Sequence, residues 1–294
     1  MKVLVTGGTG FVGPGVVRAL ADKGHDLKLL VRDSTRSRDL PGRPVVGEMT
    51  NNASLRSAVE DIDAVVHLVA IRQGREEQFK RVMEQGTRDL VAAAKDAGVR
   101  RFILMSALGT SEATKDLVPY YHAKWEMEQA VKSSGLEHVI FRPSFVFGRD
   151  GGILPTFRKL AKLTPMTPVI GSGEQRIQPI WIDDVGAYFA AAVTSAEAVA
   201  NRTFELGGPD AVSWNDFWKR LKRVRRMRRP SVHVPVKLMR PAALATERLP
   251  GDVPLTNDLL TMLERVDNVV TDTAAADTFQ LPLVPLDEQL RRAV

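Results

Sequence analysis

The stretch TGGTGFVG, from Thr6 to Gly13, lies between a short apolar run and the first helical pattern of the chain. Three of its glycines, Gly7, Gly10 and Gly13, are spaced as GxxGxxG. Where a strand turns into a helix, the first glycine allows a sharp turn, the second lets the backbone approach a pyrophosphate, and the third lets the helix pack near the sheet. The helix N-terminus then offers free N–H groups and a positive dipole end to the anion. The stretch therefore predicts a strand–turn–helix unit that binds a dinucleotide.

Short apolar runs alternate with helical patterns on both sides of this turn. The predicted strands are residues 3–6, 26–31, 45–46, 63–70, 101–106 and 139–142, and the predicted helices are residues 11–23, 54–60, 76–97 and 120–133. Strands that are apolar along most of their length are typical of a parallel sheet covered by helices on both faces. We therefore predict an α/β fold, a Rossmann-type doubly wound parallel sheet, and this context argues against a purely structural role for the glycine-rich turn.

The chain of 294 residues is long enough for this sheet and a smaller C-terminal substrate lobe. We predict a dinucleotide-binding domain over residues 1–147, to which strands at about 180–206 return. The pattern becomes less regular after Pro143, and residues 148–294 are predicted to form a mixed α/β lobe that covers the active-site cleft. Within this lobe, residues 213–229 are a predicted helix that Ser213 caps and that buries one face, which includes Trp214 and Trp218.

Composition and charge narrow the classes of function. The absence of cysteine excludes disulfides and thiolate chemistry, and the five scattered histidines predict no metal site. Neither a signal peptide nor a membrane-spanning run is recognisable, so we expect a cytoplasmic protein. The net charge is +6, and eight basic residues without an acid fall between Lys219 and Arg229. Because the basic character is local, no nucleic-acid binding is expected. Three interpretations of the basic helix remain open: a peripheral contact with an anionic membrane, a contact with an acidic protein, or a solvated face.

The end of the second predicted strand bears on which dinucleotide binds. An arginine there favours the 2′-phosphate of NADP(H), whereas a carboxylate favours the ribose of NAD(H). Arg32 lies nearest the expected place, with Arg36 and Arg38 close behind. We therefore favour NADP(H) over NAD(H), with Asp33 as the NAD(H) alternative if the strand ends one residue later.

Several motifs together resemble the short-chain dehydrogenase/reductase superfamily. They are the TGGTGFVG stretch, a Tyr-x-x-x-Lys pair at Tyr120 and Lys124, and RPSFVFG over residues 142–148. GSGEQRIQPIWIDDV (171–185), FELGGPD (204–210) and LERVDNVV (263–270) are similar to an atypical subgroup, which contains the nucleotide-binding accessory subunit of respiratory complex I and its free-standing bacterial NAD(P)-binding relatives. The resemblance covers nearly the whole chain.

This resemblance implies positions for cofactor and substrate. The phosphate loop would be formed by Gly7, Thr9, Gly10, Phe11, Val12 and Gly13, with Arg32 at the 2′-phosphate. The adenine would lie against Glu48 and Met49, although the family usually has Asp where this chain has Glu. Leu68, Val69 and Ala70 would line the cofactor, Lys124 would bond the nicotinamide ribose, and Pro143 and Ser144 would lie near the nicotinamide. Tyr121, Phe147 and Arg176 are the residues expected to contact the substrate.

The Tyr–Lys pair suits the reduction of a carbonyl, because hydride transfer leaves an alkoxide that needs a proton. A tyrosine can supply it when a nearby ammonium lowers its pKa, and residues four apart on a helix share one face. The resemblance implies Tyr120 as the proton donor, Lys124 as its assistant and Ser106 as the hydroxyl that polarises the carbonyl. Relatives often carry an asparagine before the Gly-Thr of the long helix, which is Gly86-Thr87 here. This chain lacks that asparagine and has Met83 and Glu84 in the same region.

We therefore expect an NAD(P)(H)-dependent oxidoreductase that acts on a small carbonyl or quinone-like substrate, as a monomer or homodimer. One alternative is a sugar-nucleotide epimerase or dehydratase, for which Arg176 is the one indication. The other is a non-catalytic NADP(H)-binding protein, structural or redox-sensing, that docks on an acidic partner or membrane complex through the basic helix.

Overall fold

The computed structural model describes residues 1–71, 73–149, 151–152, 166–195, 197–247 and 255–293. Its strands, in chain order, are β1 (Lys2–Thr6), β2 (Asp26–Val31), β3 (Arg43–Val46), β4 (Ala64–His67), β5 (Arg101–Met105), β6 (Glu137–Pro143), β7 (Val146–Phe147), β8 (Thr167–Ile170), β9 (Arg176–Ile177), β10 (Ile180–Trp181), β11 (Arg202–Leu206), β12 (Val212–Ser213) and β13 (Ser231–Val234).

The helices complete the described elements. They are α1 (Gly13–Asp22), α2 (Asn52–Val59), α3 (Glu76–Gln78), α4 (Gly86–Asp96), α5 (Pro119–Lys132), α6 (Ile182–Thr194), α7 (Trp214–Val224), α8 (Val236–Glu247), α9 (Asn257–Arg265), α10 (Ala274–Phe279) and α11 (Leu286–Arg292). A π-helical turn, Phe79–Gln85, joins α3 to α4. None of the helices in these ranges is long and apolar enough to cross a membrane.

The first of two compact units comprises residues 1–143, 182–206 and 271–282. Its seven strands form one sheet in the order β11-β6-β5-β4-β1-β2-β3, and every neighbouring pair is parallel. All four residues of β4 are buried, as expected for a strand covered on both faces. The predicted α/β, Rossmann-type fold is therefore confirmed. After β3 the next strand, β4, is added on the other side of β1, so the strand order reverses between β1 and β4. Such a switch point is where sheets of this kind bind their ligands.

Two glycines set the close packing of α1 on α6 within this unit. A Cβ atom on Gly186 would lie 2.8 Å from the carbonyl oxygen of Gly15, so a larger residue at this crossing would push the helices apart. The C-terminal end of α6 is tied to β5 by Arg101, whose guanidinium donates to the carbonyl of Ala192 at 2.7 Å and to that of Ser195 at 2.6 Å. These bonds satisfy carbonyl groups that have no partner within the helix.

Three predicted elements differ from the observed ones for physical reasons. The long predicted helix over residues 76–97 is interrupted by the π-helical turn, and the Thr87 hydroxyl at the start of α4 donates to the carbonyl of Met83 within that turn. The predicted strand over 63–70 ends at His67, and only the N–H of Leu68 continues the pairing, at 3.0 Å from the carbonyl oxygen of Thr6. The predicted helix over 213–229 ends at Val224, because Arg226 adopts a left-handed conformation (φ 51°) that terminates helices.

The second unit comprises residues 144–181, 207–270 and 283–294. The predicted cap of α7 is confirmed, because Ser213 Oγ accepts a hydrogen bond of 3.1 Å from the backbone N–H of Asp216. The predicted apolar face of α7 is also confirmed, since Trp214, Phe217, Trp218 and Leu221 are all buried. Elsewhere in this unit, β8 pairs with β13 and α8 packs against α9.

The cluster of basic residues does not form one uniformly positive helix face. Arg220 pairs with Asp210 at 3.0 Å and Arg223 pairs with Asp287, so at least two of the eight cations have acidic partners. The four most C-terminal of the eight lie beyond the end of α7. The expectation of a single basic helix from Lys219 to Arg229 is therefore wrong in its extent.

Candidate cofactor-binding and catalytic site

The glycine-rich loop folds tightly between β1 and α1. Gly7 has a φ of 78°, which favours glycine, and a Cβ atom there would lie 2.9 Å from the backbone at the end of β4. The N–H of Gly10 donates to the carbonyl of Gly7 at 3.0 Å and closes the turn. A Cβ atom on Gly13 would collide with the carbonyl group of Gly8. The third glycine is therefore required by the backbone of the loop itself, whereas the sequence pattern had suggested packing between helix and sheet.

The N-terminus of α1 can accept an anion. Its N-cap residue, Val12, has no side-chain oxygen, and no acidic residue lies in the first turn. The first N–H groups of the helix therefore have no capping side chain, and a phosphate can supply the missing acceptors. Thr9, Gly10 and Phe11 are partly or fully exposed at the head of this loop. The residues present fit a dinucleotide pyrophosphate.

At the end of β2, the two candidates for the 2′ position differ in what they contact. Both carboxylate oxygens of Asp33 are engaged, since they accept from the backbone N–H of Thr35 at 2.9 Å and from its hydroxyl at 2.8 Å. These hydrogen bonds lower the pKa of Asp33 and cap the short turn over Ser34–Ser37. Arg32 is exposed and makes no hydrogen bond or ion pair with the described part of the chain. Asp33 is therefore held by Thr35, whereas Arg32 has no comparable contact among the described residues.

The residues expected near the adenine have different environments. Glu48 is exposed, and its backbone N–H donates to Ser54 Oγ at 3.2 Å. Met49 is 6% exposed and belongs to the hydrophobic core, where its Cβ would lie 3.0 Å from a Cβ atom on Gly86. Of the two side chains, that of Glu48 is the one presented to solvent.

The other cofactor positions lie at the carboxyl ends of the central strands. Leu68 is buried, and Val69 and Ala70 are half-buried where the chain leaves β4. Pro143 ends β6 and is buried. Ser144 belongs to the second unit, in which its hydroxyl donates to Asn268 Oδ1 at 2.5 Å.

The Tyr–Lys pair lies at the start of α5, which begins at Pro119. Tyr120 is half-buried, whereas the Lys124 side chain is fully buried. The Nζ atom of Lys124 lies 5.8 Å from the centre of the Tyr120 ring and donates to the carbonyl of Met105 at 2.6 Å. Burial lowers the pKa of Lys124 to about 7, and the charge of Glu128 acts in the opposite direction. Tyr120 and Lys124 therefore share one face of α5, as predicted. The lowered pKa places the titration of the Lys124 amine near neutral pH.

A buried ion-pair network that the sequence did not reveal lies below this pair. Glu128 has no exposed surface and accepts two hydrogen bonds from Arg142 on β6, at 2.8 and 2.7 Å. Lys132 adds a third contact at 3.0 Å. Burial alone would raise the pKa of Glu128, but the hydrogen bonds and charge of Arg142 hold it below its ordinary value. The four-residue spacing of Glu128 and Lys132 is a sequence signal for their contact, but no local spacing indicates the pairing with Arg142.

The remaining catalytic and substrate candidates in the first unit are buried. Ser106 is 1% exposed; its hydroxyl lies near Glu128 and helps to hold the pKa of that carboxylate down, but it makes no hydrogen bond of good geometry. Tyr121 is also 1% exposed, and burial raises its pKa. Both side chains are almost completely buried, whereas Tyr120 as a residue is only partly buried.

A second buried network connects the phosphate loop to the π-helical turn. His67 Nδ1 lies 2.6 Å from the hydroxyl of Thr6, and its Nε2 lies 3.0 Å from the hydroxyl of Thr87. Because the Thr87 hydroxyl donates to the Met83 carbonyl, it can only accept from His67, so the neutral ring carries its proton on Nε2. Burial, together with the charge of Lys124, lowers the pKa of His67 to about 3.

The last two substrate candidates belong to the second unit. Phe147 is buried, and its ring centre lies 5.7 Å from that of Phe217, so its side chain forms part of an aromatic core. Arg176 is exposed, and its backbone N–H donates to Asp267 at 3.2 Å. Within the ranges that the structure describes, no group of histidine, aspartate and glutamate side chains is arranged to hold a metal ion.

Comparisons with known proteins agree with this geometry. The model of a family described as NAD(P)H-binding matches residues 7–159. The chain is 32% identical to a 3-diazoavenalumate denitrifying reductase from Streptomyces sp., over 75% of this chain and 81% of that protein. It is 27% identical to the mitochondrial NADH dehydrogenase (ubiquinone) 1 alpha subcomplex subunit 9 from Arabidopsis thaliana, over 96% of this chain and 73% of that protein.

Among solved structures, that of an NADPH-dependent quinone oxidoreductase from Escherichia coli complexed with NADPH has a similar fold. The TM-score is 0.79 and the sequence identity 18%, over 98% of each chain. This level of identity supports the fold alone. The resemblance to the atypical short-chain dehydrogenase/reductases, with the complex I subunit among the relatives, is confirmed.

Proposed function

The chain belongs to the NAD(P)H-binding family of the atypical short-chain dehydrogenase/reductase type, and we propose that it is an NADP(H)-dependent reductase of a small carbonyl or quinone-like compound. The observation that carries the proposal is the environment of Lys124, a fully buried amine beside the partly buried Tyr120. Burying an amine without need is unfavourable, because it disfavours the charged form. A lysine held in this way, with a pKa of about 7, is typical of a functional site.

In this reaction the reduced nicotinamide supplies a hydride, and the residues of the chain handle the proton. The Tyr120 hydroxyl donates a proton to the substrate oxygen, and the ammonium of Lys124 stabilises the phenolate that remains. Lys124 is held in place by its hydrogen bond to the Met105 carbonyl. The charge of Glu128 favours the protonated amine, so Glu128 acts as a positioning residue.

The preference for NADP(H) rests on the contrast at the end of β2. Both carboxylate oxygens of Asp33 accept hydrogen bonds from Thr35, whereas Arg32 is exposed and unpaired among the described residues. A guanidinium binds a phosphate through charge-assisted hydrogen bonds, and it has no comparable partner on an unmodified ribose. Reductases among the relatives are consistent with the proposal but do not distinguish the two cofactors. The expected monomer or homodimer, and the cytoplasmic location, stay predictions.

Arg176 is the one residue that indicates a sugar-nucleotide epimerase or dehydratase. No contact among the described residues gives this alternative further support. The non-catalytic alternative is the one that an experiment must exclude. It predicts tight binding of the cofactor without turnover, which would leave Tyr120 without a chemical role.

The test follows NADPH oxidation by the purified full chain against a panel of quinones and small carbonyl compounds. Tyr120→Phe should lower the turnover rate by roughly a hundredfold or more, the usual contribution of a positioned acid, and leave NADPH binding intact. Tyr121→Phe is the matched control, because the neighbouring hydroxyl is buried, and it should keep most of the activity. Loss of activity in the control but not in Tyr120→Phe would overturn the assignment of the proton donor, and binding of NADPH without turnover of any compound would favour the non-catalytic alternative.

A second measurement tests the cofactor preference. Arg32→Gln should weaken NADPH binding by about tenfold to a hundredfold, the size of a charge-assisted hydrogen bond, and leave NADH binding unchanged. Arg38→Gln, another exposed arginine of the same segment, should have a much smaller effect. Equal losses for both cofactors in Arg32→Gln would contradict the proposed role.

A further inference from the structure

The excess positive charge of the chain lies in its second unit. That unit carries 19 lysines and arginines against 11 aspartates and glutamates, whereas the first unit carries 22 against 24. Some of these charges are neutralised locally, as in the ion pairs of Arg220 with Asp210 and Asp287. Arg226 and Arg228, in the segment that leads into β13, are exposed and have no ion pair with the described residues. The unpaired cations therefore come just before β13 and α8 in the chain.

Helix α8, which follows β13, is apolar on both of its faces. Its inner face packs in the usual way, with Val236 and Ala243 buried against Leu260 of α9. On the outer face, however, Leu238 is 71% exposed and Leu244 is 53% exposed. A helix that is apolar all round is normally buried, so this outer face lacks a partner that matches it.

The exposed residues of α8 are continuous around the helix. Leu238, Pro241 and Ala245 are spaced three and then four residues apart, so they share one face, and Leu244 borders it. Two of the exposed residues of α8 are charged. Lys237 borders this face and is unpaired within the described ranges. Glu247, the last residue of the helix, lies on the side opposite Leu238 and accepts a hydrogen bond from the backbone N–H of Asn257 at 2.6 Å. Arg240, at the opposite edge of the helix, is paired with Glu264 at 2.9 Å. The outer face thus combines large apolar side chains with positive charge and presents no acid.

The geometry points to an anionic phospholipid surface as the partner of this region, which we call the apolar–basic face. It consists of the outer residues of α8, which are Lys237, Leu238, Pro241, Leu244 and Ala245. Arg226 and Arg228, which precede β13 in the chain, add positive charge to the same unit. A helix with exposed leucines and flanking cations lies in the plane of a membrane, where the apolar side chains enter the acyl boundary and the cations pair with lipid phosphates. This contact is independent of the proposed reductase chemistry.

Two other occupants fit the charges less well. A second copy of the chain would bring another unit with a net charge of +8 towards this face, which like-charge repulsion disfavours. An acidic soluble protein would match the cations, but a convex helix with exposed leucines gives it no groove in which to bind. A lipid surface accommodates a convex helix, because the acyl chains adapt to its shape.

The experiment measures cosedimentation of the full chain with vesicles of phosphatidylcholine alone and of phosphatidylcholine with 30% phosphatidylglycerol. We expect binding to the anionic vesicles that weakens as salt is raised, and little binding to the neutral ones, since the attraction between exposed charges is screened by salt. Binding that is equal on both compositions, or absent from both, would overturn the proposal.

Variants separate the apolar contribution from the charge. Arg228→Gln with Lys237→Gln should weaken binding by roughly 30-fold, about fivefold for each cation near an anionic surface. Leu238→Ser with Leu244→Ser should weaken it at least as much, because two leucine side chains no longer leave water.

Matched controls lie on the first unit. Arg18→Gln with Lys23→Gln removes two exposed cations, and Val46→Ser removes an exposed apolar side chain, so neither should change vesicle binding. A soluble polyglutamate serves as the acidic-peptide probe. If the chain binds polyglutamate as tightly as the vesicles, and the leucine variants do not change this binding, the face recognises charge alone. If the chain forms dimers that the leucine variants abolish, the partner is a second copy. Either result would overturn the lipid assignment.

Discussion

Replacing Lys124 with methionine should remove a pH dependence of folding stability that the buried amine creates. In the folded protein, burial lowers the pKa of Lys124 from 10.5 to about 7, against the opposing charge of Glu128. The unfolded chain keeps the ordinary pKa, so between these two values the unfolded state binds more protons than the folded state. The free energy of unfolding therefore rises with pH in this window, by up to about 1.4 kcal/mol per pH unit.

The size of the effect follows from the same two pKa values. Between pH 7.5 and 9.0 the wild-type protein should gain about 2 kcal/mol of stability from this group. Below pH 7 both states are protonated, so the contribution no longer changes with pH, and the folded state bears the full cost of the buried charge. The Lys124→Met variant lacks the titrating amine and should show no such gain.

Urea unfolding at pH 7.5, 8.25 and 9.0, followed by circular dichroism, measures the slope. The comparison uses slopes and not absolute stabilities, because the variant also deprives the Met105 carbonyl of its hydrogen-bond donor, which costs about 1–3 kcal/mol at every pH. Lys23→Met, an exposed lysine on the first unit, is the control and should keep the wild-type slope. If Lys124→Met and the wild-type protein have the same slope, the amine is not held at a lowered pKa and the argument for its role in the site is refuted.

Three further predictions test the surroundings of the site. Gly13→Ala should abolish the rise in melting temperature caused by NADPH, because the new methyl group collides with the carbonyl of Gly8 and distorts the loop; an undiminished rise would show that the loop tolerates a side chain. Glu128→Gln should destabilise the protein by about 3–5 kcal/mol in chemical denaturation, since it leaves the guanidinium of Arg142 without its buried counter-charge; a loss below 1 kcal/mol would contradict this. The NMR signals of the His67 ring should not titrate between pH 8 and pH 5, because burial lowers its pKa to about 3; a midpoint inside that range would show that the ring is accessible to solvent.

Much of the fold was predictable because its determinants are local. The spacing of Gly7, Gly10 and Gly13 and the apolar runs of the strands depend on neighbouring residues, and both predicted the parallel sheet that is observed. The Ser213 cap and the shared face of Tyr120 and Lys124 are local as well, since each needs only three or four consecutive positions. The predicted ends of elements were less accurate where the backbone conformation of a single residue terminates a helix, as Arg226 does after α7.

What the sequence determined by itself is therefore the α/β class, the place of the glycine-rich loop between β1 and α1, and the shared helix face of Tyr120 and Lys124. Only the tertiary structure decided the state of these groups. The pairing of Glu128 with Arg142 arises because α5 packs beside β6, and no periodicity reports such a contact. At the end of β2, only the structure shows that Asp33 accepts two hydrogen bonds from Thr35, whereas Arg32 makes no such contact among the described residues. The pKa of Lys124 is lowered because surrounding elements exclude water from its amine, and burial is a property of the folded chain as a whole.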